Sequence, residues 1–206
     1  YRSRLFVEHV VQPLTSAYPY YAFPDAWNDI YWSLDAHADK ELKKMVQAHG
    51  WDGVRPDLVV HRGLVPDAIL SFAQLQSVDL IVMGTHGRQG LDRLAMGSAT
   101  EKVLRKAGCP VLVVRKPAHD FIGHDPNRDP VQLRKVLFCT DFSAHSEHAL
   151  NYALAFAMEY NAELMLLHVL EHMPSGSDLG ETIAEIMSRM QKEVPPDAVN
   201  WCSVRS

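Results

Sequence analysis

The stretch Asp79–Lys116, DLIVMGTHGRQGLDRLAMGSATEKVLRKAGCPVLVVRK, decides the fold. It opens on Leu80-Ile81-Val82-Met83, a short apolar run with the character of a strand buried on both faces. At Gly84 the strand pattern stops, and Gly87, Gly90 and Gly97 follow. Ser98-Ala99-Thr100-Glu101 has the spacing of a capping box, so a helix is expected to start there. Gly108 and Pro110 are the stop signals for that helix, and Val111-Leu112-Val113-Val114 reads as a second buried strand. The order is strand, glycine loop, helix, strand. Such loops expose backbone N–H groups beside the positive end of a helix, which suits an anion such as phosphate. The plainer alternative is that the glycines only make a tight turn and a close helix contact.

The spacing Gly84-x2-Gly87-x9-Gly97-Ser98 resembles the nucleotide-binding signature of the universal stress protein family, and departs from both the Walker A and the dinucleotide patterns. The flanks Asp79–Gly87 and Gly108–Val114 are similar to that family as well. The resemblance implies an α/β fold with an open parallel sheet ordered 3-2-1-4-5, helices on both faces, and ATP in the crevice where the winding reverses. It implies phosphates on Gly84, Gly87, Gly97, Ser98 and Thr100. Arg88 would either screen phosphate charge or serve as an ordinary loop arginine. Adenine would lie near Val10 and Met83, with Val169 equivalent to Val10 in a second copy. Asp141 is the acidic residue that would meet ribose, or magnesium bridged to the phosphates. Its alternative role is to cap the helix that follows.

That second copy is visible as an internal repeat. Tyr1-Arg2-Ser3-Arg4-Leu5-Phe6-Val7-Glu8-His9-Val10 aligns without a gap on Tyr160–Val169, with Tyr, Leu, His and Val in common. Upstream of the second copy, Arg134–Asp141 reads as a strand ending in a carboxylate and Ser143–Tyr160 as a helix. Thr140-Asp141-Phe142-Ser143, Ser146 and Ala149-Leu150 are similar to the opening strand and helix of a universal stress protein domain. The expectation is a domain over 1–116 that lacks its first strand and helix, a linker over 117–133, and the start of a second domain over 134–206. On this alignment Tyr1 is not a translation start. A central strand left out would orphan backbone groups at about 1–3 kcal/mol each. Either a separate segment completes the first copy, or its sheet borrows the strand Val136–Thr140 by exchange between chains or within one.

Composition narrows the functional classes. The 206 residues are 47% hydrophobic with a formal charge of −5, and the pI is near 6.1. These values give material for a core and argue against a nucleic acid bound through a basic face. No apolar run is long enough to span a bilayer, and no secretory signal is evident. The three cysteines show no paired or metal-like spacing; Cys109 and Cys139 read as small buried residues, and a reducing cytoplasm fits best. Among eleven histidines the closest pairs are His119 and His124, His145 and His148, and His168 and His172, and no carboxylate or thiol set completes a metal site around them.

Along the chain, strands are expected at Leu5–Val10, Asp57–Arg62 and Glu163–Val169, with a frayed one at Val199–Val204. Helices are expected at about Asp29–His49, from Pro66 to about Gln76, and at Asp178–Lys192. Gln12–Trp32, rich in proline and aromatics, reads as a long connection: a lid, an oligomer contact, or a cap on the domain's own core. His86 lies inside the glycine loop, but no nucleophile–base pair is evident, so an enzyme beyond slow ATP hydrolysis is the weakest reading. The leading expectation is an ATP-binding, cytoplasmic, homo-oligomeric regulatory protein without nucleic-acid or membrane partners. The alternative is a nucleotide-free dimerisation module of the same fold.

Overall fold

The computed structural model describes residues 3–12, 24–48, 55–85, 96–115, 121, 131–170, 178–196 and 202–204. The chain forms two compact units, Tyr1–Ala118 and His119–Ser206. The first contains β1 (Phe6–Val11), α1 (Pro24–Ala48), β2 (Asp57–Arg62), α2 (Val65–Leu75), β3 (Ile81–Gly84), α3 (Ser98–Lys106) and β4 (Val111–Val114). The second contains β5 (Lys135–Cys139), α4 (Ala144–Tyr160), β6 (Glu163–Leu167), α5 (Asp178–Glu193) and β7 (Cys202–Val204).

In the first unit β1 pairs in parallel with β2, Val10 opposite His61, and β3 pairs in parallel with β4, Met83 opposite Val113. These are two separate two-stranded sheets. Helices cover both faces of β1–β2. Phe72 of α2 meets the edge of Phe6 at 5.2 Å and of His61 at 5.0 Å, while α1 brings Asp35 to Arg62, whose Nε donates to it at 2.8 Å. Residues 6, 8 and 10 alternate with 7, 9 and 11 across the pleat, so these contacts lie on opposite faces.

The second unit carries one parallel sheet, β5–β6–β7, with Val136 opposite Leu164 and Phe138 opposite Leu166. Phe138, Leu164 and Leu166 form its core with Leu150 and Ala157 of α4 and with Met190 and Val194 beside them. Both helices therefore pack on the same face. Right-handed crossovers that advance in one direction leave their helices on one side; only winding back the other way covers the second.

That geometry corrects the expectation of strands buried on both faces. β3 and β4 alternate half-buried and exposed positions, leaving Val82, Leu112 and Val114 open, and β5 leaves Leu137 open. Cys139 shares the open face of β5 and is exposed, not buried, and Cys109 is half-buried. A second correction concerns Gln12–Trp32: α1 already begins at Pro24, so the connection is shorter than expected. Proline suits a first helical position, where its missing N–H has no partner to lose. The other boundaries fall within about two residues of the periodic pattern, the usual scatter at helix and strand ends, apart from β7, which is described from Cys202. Gly63 ends β2 at φ 149°, a conformation open to glycine.

Candidate functional site

The carboxyl end of β3 and the start of α3 are joined at their bases. Thr85 N–H donates to the Val114 carbonyl at 3.1 Å, extending the β3–β4 pairing by one residue. Gly97 N–H donates to the Thr85 carbonyl at 2.8 Å, so the two ends of the glycine loop meet. Thr100 Oγ1 then donates to the Gly84 carbonyl at 3.0 Å, with Thr100 buried. Helix α3 follows at once, Glu101 N–H bonding to the Gly97 carbonyl.

The helix starts where the sequence placed it, but Gly97 is its cap and Ser98 is its first residue. No side chain caps it, which corrects the capping-box expectation. The box needs its serine in the extended position before the helix, and Gly97 occupies that position with φ −61° and ψ 140°. The first-turn N–H groups of Ser98, Ala99 and Thr100 thus keep the orphan character of any helix start, and Ser98 is exposed.

Of the residues expected to hold a nucleotide, the structure brings Gly84, Gly97, Ser98 and Thr100 together. Met83 lies one position upstream in β3, half-buried, and Val10 lies next to the end of β1. Gly87, Arg88 and His86 lie outside the described residues, as do His119, His124 and His172. Asp141 belongs to the second unit.

There Asp141 is exposed, and its Oδ1 accepts from the Ser143 amide at 2.9 Å. Hydrogen bonds from the Ser143 hydroxyl, the Ser143 amide and Ser146 hold its carboxyl down to about 2. Ser143 caps α4 by accepting from the Ser146 amide at 3.2 Å. Buried Thr140 accepts from the Phe142 amide at 2.9 Å, and its carbonyl accepts from His168 Nδ1 at 2.8 Å. The cap of α4 is thus Ser143, which corrects the alternative reading of Asp141 as that cap; Asp141 instead braces the turn just before the helix.

Around this turn lies a group that sequence reasoning did not assemble. Phe142 holds a left-handed backbone, φ 62°, and its ring stacks on His168. On the same ring sits the Arg189 guanidinium, 4.2 Å from the centroid, and Arg189 also donates to the Phe142 carbonyl at 3.3 Å. The Asp–Phe–Ser turn was legible, but no local signal ties Arg189 to it. Glu193 nearby has one carboxylate oxygen buried without a partner. Burial pushes its carboxyl up and Glu147 adds to the rise, against Arg189 and His168.

Among the described residues no three His, Cys, Asp or Glu side chains converge as metal ligands. Nor is any described helix long and apolar enough to cross a membrane.

The family model described as "Universal stress protein family" matches residues 1–115 and 132–194. The chain is 46% identical over 78 residues to a universal stress protein of Methanocaldococcus jannaschii, covering 38% of this chain and 44% of that protein. It is 30% identical over 170 residues to one of Mycobacterium tuberculosis, covering 80% of this chain and 53% of that protein. The chain thus spans about half the length of these curated relatives. The crystal structure of a universal stress protein from Archaeoglobus fulgidus aligns with a TM-score of 0.57 at 20% identity, over 95% of this chain and 63% of that one. This last likeness is one of fold.

Proposed function

Because the chain belongs to the universal stress protein family, we propose that it is an ATP-binding regulatory protein of a cytoplasmic stress response, acting as a homo-oligomer whose surface answers to nucleotide occupancy. The observation that carries this reading is the hydrogen bond from Gly97 to Thr85, which closes the base of the glycine loop at the start of α3. A loop closed this way returns to an N-terminus whose amide donors and dipole favour negative charge. The donor chemistry fits a polyphosphate: amides of Ser98 and Ala99, the exposed Ser98 hydroxyl, and Gly87 and Arg88 within the loop. Val10 and Met83 are the apolar groups for the base. Asp141, ionised at neutral pH, is the matching acidic residue of the second copy, for ribose or for magnesium bridged to phosphate in that copy.

One observation favours the second reading, a nucleotide-free interaction module. In the first unit β1–β2 and β3–β4 are hydrogen-bonded as separate pairs. A complete crevice of the 3-2-1-4-5 type needs a strand between them, supplied by another segment or by strand exchange.

Heating the purified protein and chromatographing the supernatant distinguishes the two. Released adenine nucleotide, with a rise in melting temperature at millimolar ATP and magnesium, supports the regulatory reading. A clean supernatant with no thermal shift supports the interaction module. Turnover much faster than minutes, abolished by one acid or histidine substitution, would instead mark an enzyme.

A further inference from the structure

We infer that Thr100 is not a phosphate ligand but the positioning residue that fixes the base of the glycine loop. As a statement about nucleotide affinity this rests on the ATP-binding reading; as a statement about the loop it stands alone. The sequence groups Thr100 with Ser98 as a hydroxyl beside the anion. In the structure the two hydroxyls part company. Ser98 is exposed, whereas Thr100 is 4% exposed and its proton goes to the Gly84 carbonyl at 3.0 Å. A hydroxyl has one proton to donate, and here it is in use.

The direction of that carbonyl explains the need. Across a trans peptide, C=O and the next N–H point opposite ways. Thr85 N–H points to Val114 of β4, so the Gly84 carbonyl points off the other edge of β3. In a 3-2-1-4-5 sheet that edge borders the switch-point crevice. An unsatisfied oxygen there would turn the negative end of a dipole toward an incoming phosphate. Thr100, one turn into α3, answers it from the helix side. With Gly97 bonded to Thr85, the strand end and the helix start form one rigid base, from which the amides of Ser98 and Ala99 are presented.

The test is hydrogen exchange on the nucleotide-free 206-residue protein, with Thr100→Val and Thr100→Ser beside wild type. In wild type the Gly97 amide should exchange more slowly than those of Ser98 and Ala99. Thr100→Val, equal in shape but without the hydroxyl, should speed Gly97 exchange by about tenfold and weaken ATP binding by a similar factor. Thr100→Ser should match wild type in both. A ligand role would leave the nucleotide-free exchange of Thr100→Val unchanged, and that result overturns the inference. If the valine variant does not fold, serine decides: a Thr100→Ser protein with fast Gly97 exchange equally removes the hydroxyl from its assigned role. Wild type that binds no ATP refutes the functional reading alone, since Gly97 exchange still decides the place of Thr100.

Discussion

The Phe142 ring lies over the His168 imidazole, centroids 4.5 Å apart and planes inclined by 34°, on a residue whose backbone is left-handed. A bulky residue in that region is sustained only when its surroundings over-determine it. Here they do so through the Thr140 hydroxyl below, His168 on the ring, and Arg189 on both ring and carbonyl. Phe142→Ala should lose the ring and keep the strain, destabilising the second unit by about 2 kcal/mol. Phe142→Gly should lose the ring and relieve the strain, and so cost about 1 kcal/mol less than alanine. Urea unfolding of the two variants checks the order; alanine more stable than glycine would contradict it.

Asp141 makes the acid limb of the stability curve steeper. Its folded carboxyl sits at about 2 against an ordinary 3.8, so between those values the unfolded chain binds more protons. Stability therefore rises with pH through that window: the contribution is fully present above about pH 4 and is lost as pH falls toward 2. Melting curves from pH 5 to pH 2 should show a shallower decline for Asp141→Asn than for wild type.

Glu193 has the opposite sign. Burial raises its carboxyl and leaves Oε2 without a partner, so the folded state holds its proton more tightly than the unfolded state. The ionised form costs stability as pH rises through the folded value. Glu193→Gln should melt higher than wild type at pH 7, and the difference should shrink at acid pH.

The cap on α4 is the Ser143 hydroxyl accepting from the Ser146 amide. Ser143→Ala should cost about 1 kcal/mol, and Ser143→Asp less. Chemical denaturation monitored by circular dichroism measures both.

Core position decides the last contrast. Leu164 is fully buried, while Leu137 on the neighbouring strand is 59% exposed. Leu164→Ala should cost about 2–5 kcal/mol, against less than about 1 kcal/mol for Leu137→Ala. Equal losses would mean that the open face of β5 is covered in solution.

The sequence alone determined the order and type of the elements, since apolar periodicity, proline and glycine act within a turn or two of themselves. β2 over Asp57–Arg62, β4 over Val111–Val114 and the start of α3 at Ser98 all follow from such local signals. The Gly84–Ser98 spacing and the repeat of Tyr1 at Tyr160 likewise carried the family, because fixed spacing is a property of the chain itself. What only the tertiary structure decided was pairing at a distance. The capping box looked complete locally, yet the bond of Gly97 to Thr85 made glycine the cap, and the Gly84 carbonyl claimed Thr100. Cys139 and Val82 read as buried because they sit in apolar runs, but burial depends on which face the crossovers cover. Arg189 reaches Phe142 across 47 residues, a contact no local pattern encodes. Periodicity reports what a segment prefers; hydrogen-bond partners and covered faces are settled only when segments meet.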